Sequence, residues 1–236
     1  MSSKSEKKRE GRVIFPSRRR SVLHTRPVYF IVTEGSKTEP NYLRRLQELC
    51  DEQGKQSVLL KVVPSKDAKS SNPRHLIRQM SAYLKSDSGG LTEKDSAWII
   101  SDRDVWAEKE FEALRTWLEK LPKQRHVIIS NPCFEYWIWL HFRQHKPFVT
   151  ATECCEALKN IIDYQKNKSF DFITREKVQQ ASKFAKAGLV KLLELSNVQY
   201  NESAELNVLA DADRTIDRTA TNMFGLIDQV LVQEMS

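Results

Sequence analysis

The chain has 236 residues, of which 40% are hydrophobic and 29% charged, and carries a formal charge of +7. That length suits one sizeable domain with attachments, and the composition excludes a wholly disordered chain without naming a function. The charge is local: residues 1–26 hold nine Lys or Arg against Glu6 and Glu10, which leaves the remainder formally neutral.

Residues 1–26 read as a basic flexible tail. Such an arm, with Arg18, Arg19 and Arg20 at its centre, either tracks the phosphates of a nucleic acid or solubilises the chain. It lacks the apolar segment of an export signal, and nothing downstream approaches the ~20 apolar residues of a membrane span. A cytoplasmic protein without membrane contact is expected.

From 27 to 146 apolar runs alternate with amphipathic ones. Strands are expected over 28–33, 57–63, 96–101 and 126–130, and helices over 40–52, 72–86, 107–121 and 132–142, with Pro40 at the first position of the first helix. The last helix, "PCFEYWIWLHF", is apolar nearly all round, which suits a buried helix and assigns Trp137, Trp139, Leu140 and Phe142 to the core. This alternation predicts an α/β fold: a parallel sheet of about four strands covered by helices. After Pro147 the strand signals stop. Residues 147–236 read as a helical C-terminal region packed on or beside the sheet, with helices over 150–166, 173–196 and 212–234.

In an open parallel sheet, function concentrates beyond the carboxyl ends of the strands. The first strand ends in Glu34, the third in "SDRD" with Asp102 and Asp104, and the fourth in "SNPCFE" with Glu135. Residues two apart in an extended chain point the same way, so Asp102 and Asp104 can face one ion while Arg103 points elsewhere. Few oxygen ligands from protein are what Mg²⁺ accepts, since it keeps several waters. The four cysteines, Cys50, Cys133, Cys154 and Cys155, show no C-x-x-C spacing, and no H-E-x-x-H accompanies the five histidines. Any metal is therefore expected on oxygen, with Cys154 and Cys155 as buried apolar positions.

A glutamate followed by glycine after the first strand, with D-x-D after a later one, resembles the Toprim domain of topoisomerases, primases, recombination proteins and several nucleases. Taken together, "TEGSKTEPNYL", "SDRD" and "SNPCFEYWIWLHF" resemble the RloB family of Toprim-like proteins, associated with restriction loci and phage defence. The resemblance runs over about 28–145, and "TIDRTATNMFGLIDQVL" is compatible with that family's C-terminal helix. It implies a Toprim-like fold, Glu34 as general acid or base, and Asp102 with Asp104 holding Mg²⁺, Mn²⁺ being an alternative. It further implies phosphodiester hydrolysis of DNA or RNA, with a companion ATPase as partner. The chain is too short for the extra domains of a topoisomerase or primase. The competing reading is a Toprim-like interaction or sensor subunit that cleaves nothing.

Each residue also has a plainer reading. Glu34 can simply end its strand, with Gly35 turning the chain. Asp102 or Asp104 can cap the helix near 107. Glu135 is either a third metal-site acid or a helix-end charge, or both. Lys37 can reach a phosphate or stay solvated, although "GSKTE" lacks P-loop spacing. Glu39 reads chiefly as compensation of the helix dipole, His141 as a satisfied core histidine, and the Asp211–Asp213 pair as a helix lead-in.

Overall fold

The computed structural model describes residues 26–52, 58–64, 72–86, 90–103, 108–165, 169–197, 199, 206, 209 and 219–232. Arg18, Arg19, Arg20, Asp104, Asp211 and Asp213 lie outside them.

Five strands form one sheet in the order β2-β1-β3-β4-β5. They are β1 (Val28–Thr33), β2 (Leu59–Val62), β3 (Ser96–Asp102), β4 (Arg125–Asn131) and β5 (Ala220–Thr221). The first four pair in parallel, as the alternation of elements requires. Every residue of β1 is buried, and six of the seven in β3, which explains why both read as unbroken apolar runs rather than alternating ones.

The fully described helices are α1 (Thr38–Asp51), α2 (Pro73–Lys85), α3 (Glu108–Glu119), α4 (Phe134–Trp139), α5 (Ala151–Lys159), α6 (Arg175–Leu195) and α7 (Phe224–Ile227), which continues into a π-helical turn over Asp228–Val232. Right-handed crossovers put α1 on one face of the sheet and α2 with α3 on the other. On the first face Tyr42 of α1 meets the rings of Phe134 and Trp137 edge-on, and all six residues of α4 are buried. Among the described residues no helix is long and apolar enough to cross a membrane.

Three expectations need correction. The C-terminal segment 212–234 is not one helix, because β5 lies within it and pairs antiparallel with β4. The sheet therefore has five strands, and the C-terminal region is built onto its edge. The first helix also begins at Thr38, which makes Pro40 its third residue, and α5 ends at Lys159 rather than near 166.

Candidate active site

Sheet order locates the site. From β1 the chain crosses towards β2, and from β3 it crosses towards β4, so the direction of winding reverses between β1 and β3. Their carboxyl ends diverge into a crevice there. Glu34 and Asp102 stand at those two ends, and a backbone bond from Glu34 N–H to Ile100 C=O (3.1 Å) carries the pairing one residue past β1.

A pocket of about 310 Å³ opens at this point, lined by Glu34, Gly35, Ser36, Lys37, Thr38, Glu39, Asp102, Phe134 and Glu135. Four of these residues are acids. Glu34 Oε2 accepts from the Ser101 hydroxyl and from the Asp102 N–H (3.1 Å), so the residues of β3 orient the acid of β1. Asp102 Oδ1 accepts from Phe134 N–H at 2.8 Å. It therefore caps α4; residues 104–107, where the other cap was expected, lie outside the described residues. Arg103 points away, its guanidinium 4.5 Å from the centre of the Phe111 ring.

Glu39 does more than offset a helix dipole. It is 4% exposed, and its Oε1 accepts from Gly35 N–H at 2.8 Å, closing the 34–38 turn over the pocket. A Cβ on Gly35 would lie 2.6 Å from the Glu39 carboxylate carbon, so only glycine leaves that acid its place. Glu135, also 4% exposed, accepts from the Tyr164 hydroxyl at 2.7 Å, and the same hydroxyl lies 3.3 Å from Thr38 Oγ1. Tyr164 belongs to the loop after α5 and carries no motif that would have drawn notice.

The four carboxylates act on one another. Enclosure of the Asp102 carboxyl, and then the charges of Glu39, Glu34 and Glu135, push it well above the usual carboxylate range, against the opposing bond from Phe134 N–H. Burial raises Glu39 as well. The bonds from its own N–H and from Gly35 oppose that rise, and Glu135 and Glu34 add to it. Such a cluster suits a cation: the pocket exceeds the roughly 180 Å³ that six waters occupy at about 30 Å³ each. Lys37 lines the same pocket.

One further group departs from the expectation of oxygen ligands alone. Cys133, Glu135 and Cys155 bring one ligand atom each within 4.8 Å of one another, and this group can hold a metal ion. Among the described residues no three of the pocket acids meet that spacing. Cys154 is fully buried as expected, whereas Cys155 is partly exposed. Nothing in the sequence links Cys133 to Cys155, because their proximity comes from the packing of α4 on α5.

His141 is the satisfied core histidine that its position suggested. Tyr42 Oη lies 3.1 Å from its Nε2 and Trp137 O lies 2.9 Å from its Nδ1, and burial pulls its pKa down to about 4.

The model of the RloB-like protein family matches residues 29–230. The chain belongs to the RloB-like family. The match runs from β1 into the π-helical turn, so the C-terminal region is as much part of this RloB-like protein as the sheet is. No curated protein and no solved structure matches the chain.

Proposed function

We propose that this RloB-like protein is a divalent-metal-dependent nuclease that hydrolyses phosphodiester bonds in DNA or RNA. The observation that carries the reading is the convergence of Glu34, Glu39, Asp102 and Glu135 on one pocket at the reversal of winding, where burial and the neighbouring acids raise the Asp102 and Glu39 carboxyls. A module that only docks a partner has no use for four acids enclosed in this way.

Asp102 and Asp104, with Glu39 and Glu135, would hold Mg²⁺ or Mn²⁺. A bound divalent ion would polarise a phosphoryl oxygen and acidify water, which is the chemistry this reaction requires. Glu34 is the residue to take the proton from the attacking water. Ser101 and the Asp102 N–H fix its Oε2, so its carboxylate is aimed before substrate arrives. Lys37 supplies positive charge for a phosphate, and Gly35 leaves room for the Glu39 carboxylate. The wide spacing of the acids agrees with an ion held partly through water, as Mg²⁺ prefers. A role in defence against phage, alongside a companion ATPase, follows from the family resemblance.

The purified protein, with and without a companion ATPase, should cut DNA or RNA in Mg²⁺ or Mn²⁺ and stop in EDTA. Glu34→Gln should reduce the rate by about 10²–10⁴-fold, the usual worth of a positioned acid or base. Cutting that continues unchanged in Glu34→Gln and Asp102→Asn would refute the assignment. Absence of cutting under every condition would favour the non-cleaving interaction subunit.

A further inference from the structure

The folded body is formally neutral, but its charge is not evenly spread. Between α2 and α3 runs a groove of about 910 Å³ whose cations are Arg74, Arg78, Lys85, Lys109, Lys120 and Arg125, with Glu112 as the one lining acid among the described residues. The first three occupy one stripe of α2, and Lys109 shares a stripe of α3 with Thr116, followed by Lys120 just past its end. The two stripes face each other across the groove.

Helix stability does not account for this placement. Arg74 and Lys109 lie in the first turns of their helices, where the dipole favours acids, and α2 has no acid in its first turn. Arg74 is also held in position: its Nε lies 3.5 Å from Glu110 Oε1, and its Nη2 donates to Lys109 O at 3.2 Å. At the far end Arg125 stacks over Trp117 at 5.1 Å and donates from Nη1 to Trp117 O at 2.9 Å. Among the described residues no carboxylate pairs with it.

Direction and length are informative too. In a βαβ unit each helix runs back against its strands, so α2 and α3 both begin at the sheet edge that carries Glu34 and Asp102. The Arg74 and Lys109 end of the groove therefore lies at the same edge of the sheet as the acid pocket, on the face opposite α1. The 13 residues of α2 span about 20 Å at 1.5 Å per residue, the length of roughly six nucleotides at 3.4 Å per step along one strand.

We propose that this groove binds the backbone phosphates of a nucleic acid and leads the strand to the acid pocket. The inference rests on the nuclease reading for the identity of the polyanion. It gives the folded body a phosphate track of its own, separate from the N-terminal tail.

The test is fluorescence anisotropy of the full chain in EDTA, with short labelled single-stranded DNA, duplex DNA and RNA over a salt series. The variant reverses two exposed groove cations, Arg78→Glu with Lys120→Glu. A control of equal charge change, Lys183→Glu with Lys191→Glu, lies on α6. The groove variant should bind at least tenfold more weakly, and its slope of log K against log salt should shrink by about 1.4–1.8, two contacts at about 0.7–0.9 each. The control should keep most of the affinity. Arg78→Ala with Lys120→Ala should give the same order of effect in milder form, and matching melting curves establish that all variants fold. Equal loss in groove and control variants, or no loss in either, overturns the proposal. So does a groove variant that keeps its nucleic acid but loses an acidic protein partner. If the wild type cuts and the groove variant cuts and binds as well, the groove fails while the nuclease reading stands. If the groove variant loses binding but the wild type never cuts, the nuclease reading fails while the groove stands.

Discussion

Replacing Asp102 with asparagine should stabilise the metal-free protein and remove most of its response to Mg²⁺. The asparagine Oδ1 can still accept from Phe134 N–H, so the cap on α4 survives and the change is almost purely one of charge. Like charges in near contact at an effective dielectric near 20 repel by about 3–4 kcal/mol. Asp102 faces three acids, and some of this repulsion is already relieved by protonation, so a net gain of about 1–3 kcal/mol is expected. For a chain of this size that is a rise in Tm of roughly 2–12 °C in EDTA. A wild-type protein at 100 times its Kd for Mg²⁺ gains about 2.7 kcal/mol, or roughly 5–11 °C, and Asp102→Asn should gain less than a third of it. Thermal melts of both proteins in EDTA and in Mg²⁺ provide the assay. An asparagine variant that melts below wild type in EDTA and responds equally to Mg²⁺ would refute the electrostatic account of the pocket.

The remaining predictions concern the same neighbourhood. Asp102 and Glu39 both have folded pKa values raised above their unfolded ones, so their contribution to stability is full below about pH 4 and is lost as pH rises through the raised values. Denaturant titrations in EDTA should therefore show stability falling across that window, and saturating Mg²⁺ should flatten the fall. Gly35→Ala pushes the Glu39 carboxylate from its site and should weaken Mg²⁺ affinity by about tenfold or more in a calorimetric titration. Tyr164→Phe removes the hydroxyl that donates to buried Glu135 and should cost about 1.5–3 kcal/mol, measured by urea unfolding. Titration with Co²⁺ should produce sulfur-to-metal absorption in the wild type that is absent from Cys133→Ser with Cys155→Ser, and no such band in the wild type would rule out thiolate ligation.

The parallel core was legible because strands buried on both faces have little choice but to be continuous apolar runs, and "VYFIVT" and "SAWIIS" are such runs. The acids at the ends of β1 and β3 were legible by the same logic of strand direction. Glu39 was harder, since an acid in the first turn of a helix already has a sufficient local explanation; only the fold of the 34–38 turn shows that it enters the pocket. The contact of Cys133 with Cys155 and that of Tyr164 with Glu135 are tertiary and left no periodic trace. β5 escaped notice because two residues are too few to show a pattern. The groove cations stood at helical spacing in plain view, but averaging the charge over the whole body concealed them.

The short β5 has a practical consequence for anyone dividing this chain. The Asn222 side chain accepts from Ile129 N–H at 2.8 Å and donates to Val127 O at 2.9 Å, while Thr221 Oγ1 lies 2.9 Å from Ser130 Oγ. The Asn222 side chain thus completes a rung that its own N–H begins by donating to Ile129 O at 3.4 Å. A fragment ending near Pro147, where the repeating β-α pattern gives out, would bare one flank of β4 and invite intermolecular pairing there. During synthesis the same flank must wait for the ribosome to deliver residues 220–222, so the nascent sheet stays vulnerable on that side until they emerge.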